Sequence, residues 1–224
     1  MAKFNPVARA LEDTPVDGHT RKGATSNWAY DCAVLDAAHA ADLAAHTRNL
    51  WETMRVGEYY LSPLITSRSS SSTALDAANR LWAMPFPILR NTTWDRIAIQ
   101  VSAQAGQKFR LGIYNNAADL KPGTKLVDAG EITLSGTGQQ AITFSAAQSL
   151  TKGLYWVAIV SDGQPTINDY NAYCFNFLGL HSGWSANNLS WYVAHTYGAL
   201  PDSFGTPTAD YRVFGIALRL LTLD

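Results

Sequence analysis

The sequence predicts a mainly β protein, an antiparallel β-sandwich of jelly-roll-like form preceded by an extended arm and one helix. Three observations carry that expectation. Beyond residue 75, apolar residues recur with a period of two, the signature of strands with one face buried. Residues 31–55 are dense in alanine and contain neither Gly nor Pro, which favours helix. Residues 1–30 are polar and turn-rich, with Pro6, Pro15, Gly18 and Gly23 and no apolar periodicity that closes a core.

The elements follow in chain order. Residues 1–30 are expected to be extended and held mainly by other chains, because they bring no core of their own. The helix is expected over residues 31–55, with Ser26 or Asn27 available to cap it. Along it Cys32, His39, Leu43, His46 and Leu50 form one stripe, and the 4-3-4 steps from His39 to Leu50 are heptad spacing. Two readings stand: self-association through His39, Leu43, His46 and Leu50, or docking of an amphipathic helix on its own sandwich. Composition changes near Gly57, so residues 1–57 are taken as arm and helix and 58–224 as the sandwich domain.

Residues 66–75 read as a Ser/Thr-rich polar loop. Strands then follow. Ile97, Ile99 and Val101 alternate with Arg96 and Gln100; Phe109, Leu111 and Ile113 alternate with Lys108 and Arg110. Ile132 and Leu134 flank Thr133, Ile142 and Phe144 flank Thr143, and Phe214, Ile216, Leu218 and Leu220 share a face. Residues 154–160 are apolar throughout, as in a central strand covered on both faces. Turns are expected at Asn115-Asn116, Lys121-Pro122-Gly123 and Asp162-Gly163, giving about eight to ten strands. Leu111, Ile113, Trp156, Ala158 and Ile216 are expected in the core.

The chain has 224 residues, 16% of them charged, and a net charge of −1. Nucleic-acid wrapping needs clustered Lys and Arg, so that class of partner is not expected. Near-neutrality also removes the repulsion that keeps copies of a chain apart. Cys32 and Cys174 are the two cysteines, too few and too distant for a disulfide framework. No apolar leader follows Met1-Ala2-Lys3, and no apolar run approaches the ~20 residues that cross a bilayer, so neither secretion by a leader nor membrane insertion is expected.

The sequence carries no G-x-S-x-G, P-loop or G-x-G-x-x-G motif, and no enzyme, cofactor or catalytic residue is expected. His19, His39, His46, His181 and His195 have no tight ligand spacing, and His39 and His46 lie too far apart on a helix to share a metal within one chain. Carboxylate pairs for glycoside hydrolysis need no local motif, but Asp162, Asp169 and Asp202 read as solvated turn residues. The densest chemistry lies in residues 164–206, where Tyr170, Tyr173, Trp184, Trp191, Tyr192 and Tyr197 are interspersed with Asn168, Asn171, Asn187 and Asn188. Aromatic faces over sugar C–H groups, with amides on the hydroxyls, make a glycan platform, for which Tyr170, Trp184, Tyr192 and Tyr197 are the candidates. The competing reading is core or subunit-interface packing, and burial is expected for Tyr173 and Trp191.

Two stretches resemble a known family. Residues 13–20, Asp-Thr-Pro-Val-Asp-Gly-His-Thr, lead into Thr25-Ser26-Asn27-Trp28-Ala29-Tyr30-Asp31, similar to a segment of tailed-phage fibre and tail proteins; Cys32 stands where that family usually carries His. Arg110-Leu111-Gly112-Ile113-Tyr114, then Pro122-Gly123, then Gly153-Leu154-Tyr155-Trp156-Val157-Ala158 resemble a jelly-roll module of phage fibres and spikes, one that also recurs in bacterial surface proteins and carbohydrate-binding modules. The resemblance implies a virion structural protein, a homotrimer made in the host cytoplasm, whose arm anchors to other virion proteins while the sandwich projects as a fibre, spike or adaptor in host attachment. The alternatives are a carbohydrate-binding receptor module and a capsule-degrading enzyme.

Overall fold

A computed structural model describes residues 54–65, 71–75, 78–103, 106–170, 178 and 189–223. The expected arm, Cys32, Cys174, Tyr173, Trp184 and the stripe of His39, Leu43, His46 and Leu50 lie outside the described residues. So does the body of the expected helix. Its last two residues, Met54 and Arg55, are described and are not helical; Gly57 follows at φ 89°, a conformation that ends a helix rather than extends one.

The described residues form two six-stranded antiparallel sheets. The strands are β1 (Tyr59–Leu61), β2 (Ser71–Ala74), β3 (Arg80–Ile88), β4 (Thr92–Ala103), β5 (Lys108–Asn116) and β6 (Pro122–Thr133), then β7 (Gly138–Leu150), β8 (Gly153–Ser161), β9 (Thr166–Asp169), β10 (Ser190–Ala194), β11 (Thr208–Asp210) and β12 (Ile216–Leu223). The first sheet runs β1-β12-β4-β9-β2, with β7 on the other side of β4; the second runs β11-β10-β3-β8-β5-β6. Their inner faces meet in one core, where Ile97, Ile99, Ile216 and Leu218 pack with Trp82, Leu111, Ile113 and Ile159. Edge-to-face ring pairs join the layers: Phe86 with Trp94 at 5.9 Å and Trp82 with Phe214 at 5.3 Å.

Leu111, Ile113 and Ile216 lie in the sandwich core as expected, whereas Trp156 and Ala158, though buried, lie outside it. The reading of residues 154–160 holds. Val157 and Ile159 face the sandwich core, while Trp156, Ala158 and Val160 face a second apolar cluster under Leu200 and Phe204. That cover is a strap tied down at several points. Leu200 N–H donates to Asp128 Oδ2 at 2.9 Å, Lys125 Nζ donates to Leu200 O at 2.7 Å, and Phe204 N–H donates to Gly123 O at 3.0 Å.

Other expectations are corrected. Twelve strands are present among the described residues rather than eight to ten. The polar loop at 66–75 contains β2, whose Ser71–Ala74 pairs with Thr166–Asp169; an edge strand needs main-chain partners, not apolar side chains, so composition hides it. β3 escapes the pattern because Pro85 and Pro87 read as breakers. They are accommodated because β10 pairs only with Arg80–Ala83, so that beyond that point β3 has β8 as its one strand neighbour among the described residues. Asn115-Asn116 end β5 and Pro122-Gly123 open β6, with Asn116 opposite Pro122, so the reversal is the 3-10 turn Ala118–Leu120 between them. Asp169 is no solvated turn residue: it is 1% exposed, held between its pairing with β2 and a bridge to Phe214.

β4 skips a partner at Asp95, where its register with both β12 and β7 shifts. Arg219 of β12 closes the gap, its Nε donating to Asp95 Oδ1 at 2.8 Å and its Nη2 to Oδ2. Those hydrogen bonds hold the Asp95 carboxyl below its ordinary 3.8. A carboxyl depressed in the folded state stabilises fully above the unfolded value and loses that contribution as pH falls through the folded one. Unfolding measured against pH should therefore show a stability loss below 3.8 that is smaller in Asp95→Asn; identical acid limbs would remove the pair from the acid response.

Candidate functional site

A groove of about 210 Å³ lies on the outer face of the first sheet. Its place follows from the strand order. β4 is flanked by β12 over Thr92–Ile99 and by β9 from Val101 onward. Where one neighbour gives way to the other, Asn168, Asp169 and Tyr170 meet Val213, Phe214 and Gly215. Tyr170 N–H donates to Val213 O at 2.8 Å and Gly215 N–H to Asn168 O at 2.9 Å.

Period two then decides what points outward. With Ile97, Ile99 and Val101 committed to the core, Ala98 and Gln100 face away from it. The register places Ala217 beside Ala98 across β12 and β4, so the floor between the walls is made of small side chains. Gln100 and Gln139 are direct cross-strand partners at one wall, and both are exposed. Tyr59 and Leu61 bring the opposite wall from β1. Tyr170 completes the lining. A Cβ on Gly215 would lie 2.7 Å from its Cε2, so the ring occupies this position only because residue 215 has no side chain.

Every lining side chain is uncharged. Asn168 Oδ1 accepts from Ser102 Oγ at 3.1 Å, and Ser102 in turn pairs with Ser72 at 2.8 Å, which fixes the amide at the rim. The amides of Gln100 and Gln139 each offer donors and an acceptor, matching the donor and acceptor capacity of sugar hydroxyls. The volume is below the ~300–1,000 Å³ of sites that enclose a drug-sized ligand, and suits one sugar ring seated at the surface.

Among the described residues, the aromatic candidates of 164–206 do not form one platform. Tyr170 lines the groove, though it is 8% exposed. Tyr192 is half-buried on the other sheet, where the Arg80 guanidinium lies 4.4 Å over its ring. Tyr197 packs against the cluster under the strap, and its hydroxyl donates to Glu131 at 2.9 Å. Burial, then that bond, push its pKa up, while the Lys108 ammonium beside Glu131 holds the carboxylate down. Trp191 is half-buried rather than buried; its Nε1 donates to Leu120 O at 2.8 Å. Sequence reasoning singled out Asn168 and Tyr170 but missed Tyr59, Gln139 and Gly215 as site residues. Gln100 was legible only as an outward-facing position. No group of His, Cys, Asp and Glu suited to a metal ion occurs among the described residues.

No protein-family model matches the chain, and no curated protein does. Among solved structures the chain is similar to the cysteine protease and lectin-like domains of Cwp84, a surface layer associated protein of Clostridium difficile. The identity is 13% and the TM-score 0.43, over 70% of this chain and 37% of that one. It is also similar to a carbohydrate binding module from Cellvibrio mixtus lichenase 5A in complex with cellotriose, at 13% identity and a TM-score of 0.26, over 51% of this chain and 96% of that one.

Proposed function

We propose that the sandwich is a carbohydrate-binding domain that holds a neutral glycan in the groove of its first sheet, and that it recognises a host surface as part of a tailed-phage particle. The observation that carries the binding reading is the groove itself, with two tyrosines and three amides over an alanine floor and no charged side chain in its lining. A ring face on sugar C–H groups and amides on hydroxyls form a recognition chemistry. Acidic ligands would want Lys or Arg there. The domain acts by binding and has no reaction of its own.

The phage setting rests on the sequence resemblance of residues 13–31 and 110–158. In that setting residues 1–57 anchor the chain to other virion proteins and the sandwich faces outward.

The test is a glycan array followed by titration of any neutral hit. Gln100→Ala and Gln139→Ala should each weaken binding about two- to twelvefold, since a hydrogen bond contributes roughly 0.5–1.5 kcal/mol. Tyr59→Ala should weaken it at least as much, with the melting temperature nearly unchanged because β1 is a short edge strand. Equal binding by native and variant chains, or no neutral glycan bound at all, would overturn the groove reading.

A further inference from the structure

Each sheet ends in strands with unpaired main-chain groups, and proteins usually blunt such edges with charge, proline or brevity. Among the described residues, four of the five edges are blunted. β1 and β2 are short at Tyr59–Leu61 and Ser71–Ala74, and β11 is only Thr208–Asp210 with Arg212 just beyond it. β6 carries Pro122, Lys125, Asp128 and Glu131. β7 has none of these devices. It spans 13 residues, Gly138–Leu150, without one charged residue or proline, and no charge occurs anywhere between Glu131 and Lys152. Among the described residues its only strand partner is β4.

We propose that β7 pairs with β7 of a second copy of this chain, antiparallel, through Gly138–Thr143. That part of β7 is in unbroken register with β4 from Arg96 to Val101. Beyond it, residues 144–147 arch opposite the single Asp95, and Gln148 Nε2 turns back onto Ala146 O at 2.6 Å, so the strand is no longer straight there. A second copy is the occupant that fits. An uncharged edge offers a charged partner segment no ion pair, whereas an antiparallel edge is complementary to itself under a two-fold axis normal to the sheet. The polar, uncharged side chains of Gln139, Gln140 and Thr143 tolerate each other across the axis.

A pairing this short buries less than the ~1,200–2,000 Å² of a standard stable interface. The dimer is therefore reversible and forms as concentration rises, including the high local concentration on a particle. The two-fold axis normal to the sheet keeps both outer faces on the same side. Gln139, at the groove wall, places each groove beside the shared strand, so two weak sites act together on one surface. This last consequence rests on the groove reading; the pairing itself does not.

Sedimentation velocity of the full chain across a wide concentration range decides the point without any glycan. The expected result is a reversible monomer–dimer equilibrium. The pair Gln140→Lys with Thr143→Lys should shift it to monomer in a chain that still unfolds cooperatively, because lysines then line the edge of both copies. Mixing that variant with Gln140→Glu, Thr143→Glu should restore a mixed dimer. A native chain that stays monomeric throughout, or an assembly whose mass ignores the lysine pair, overturns the proposal. Glycan binding by a strictly monomeric chain would leave the groove reading intact and remove only the pairing.

Discussion

Replacing Trp156 by alanine should cost roughly 3–5 kcal/mol, the loss expected for emptying a fully buried aromatic site. Trp156 is 0% exposed and lies in β8 between Tyr114 and Pro85 in register. Its Nε1 donates to Asn116 Oδ1 at 3.0 Å, so the ring is both packed and anchored. Tyr114 beside it meets Phe204 edge-to-face at 5.2 Å and donates to Pro201 O at 2.8 Å. The cavity would therefore open under the strap and loosen its hold. For a domain of this size the melting temperature should fall by about 6–20 °C, at roughly 2–4 °C per kcal/mol. Trp156→Phe keeps most of the volume and should cost clearly less. Equilibrium denaturation of the three proteins checks this, and a loss below about 1 kcal/mol for Trp156→Ala would mean that the second cluster contributes little.

The second large effect is expected from the smallest residue beneath the strap. Ala83, Ala158 and Gly112 stand in one row across β3, β8 and β5, and Leu200 fills the space above Gly112. A Cβ at residue 112 would lie 2.4 Å from Leu200 Cδ1 and 2.5 Å from Val127 O. Leu200 Cδ1 is the end of a side chain that can turn aside, but Val127 O is main chain and cannot yield easily. Leu200 is hydrogen-bonded through both its N–H and its carbonyl, and Val127 O belongs to the backbone of β6. Asp128, which receives the Leu200 N–H, is itself bound by Arg110 Nη1 at 2.9 Å. Gly112→Ala should thus destabilise by about 1–3 kcal/mol through overpacking. Adding Leu200→Ala should cost less in that background than in the native chain, because it removes one of the two clashes. Strict additivity, or no loss in the single variant, would show that the strap moves freely.

These effects bear on what can be read from the residues alone. Strand faces were legible wherever side chains alternate, as at Ile97–Val101 and Phe109–Ile113, because burial of one face is what imposes the period. The doubly covered β8 was legible from its unbroken apolar run, although nothing local showed that residues 195–207 supply its second cover. β2 and β3 were not legible. A serine-rich edge and a strand with two prolines both violate propensity, and both are settled by partners distant in sequence. The groove was least legible. Tyr59, Gln100, Gln139 and Tyr170 converge only through the pairing of β1, β12, β4 and β7 and the handover from β12 to β9. In sequence, Gln100 and Gln139 look like ordinary polar positions of a solvated face. Asn168 and Tyr170 stood out because aromatics and amides crowd residues 164–206, but the same crowding pointed to Tyr192 and Tyr197, which the fold sends to the other sheet and binds to Arg80 and Glu131.

The most direct measurement on the groove is a titration of the isotopically labelled chain with a neutral oligosaccharide identified on the array, followed residue by residue by NMR. If the groove is the binding site, shift changes will centre on Tyr59, Gln100, Gln139 and Tyr170, with the alanine floor of β4 and β12 responding and the strap around Leu200 silent. Shifts confined to Trp191, Tyr192 and Tyr197 on the second sheet, with the groove unperturbed, would contradict it.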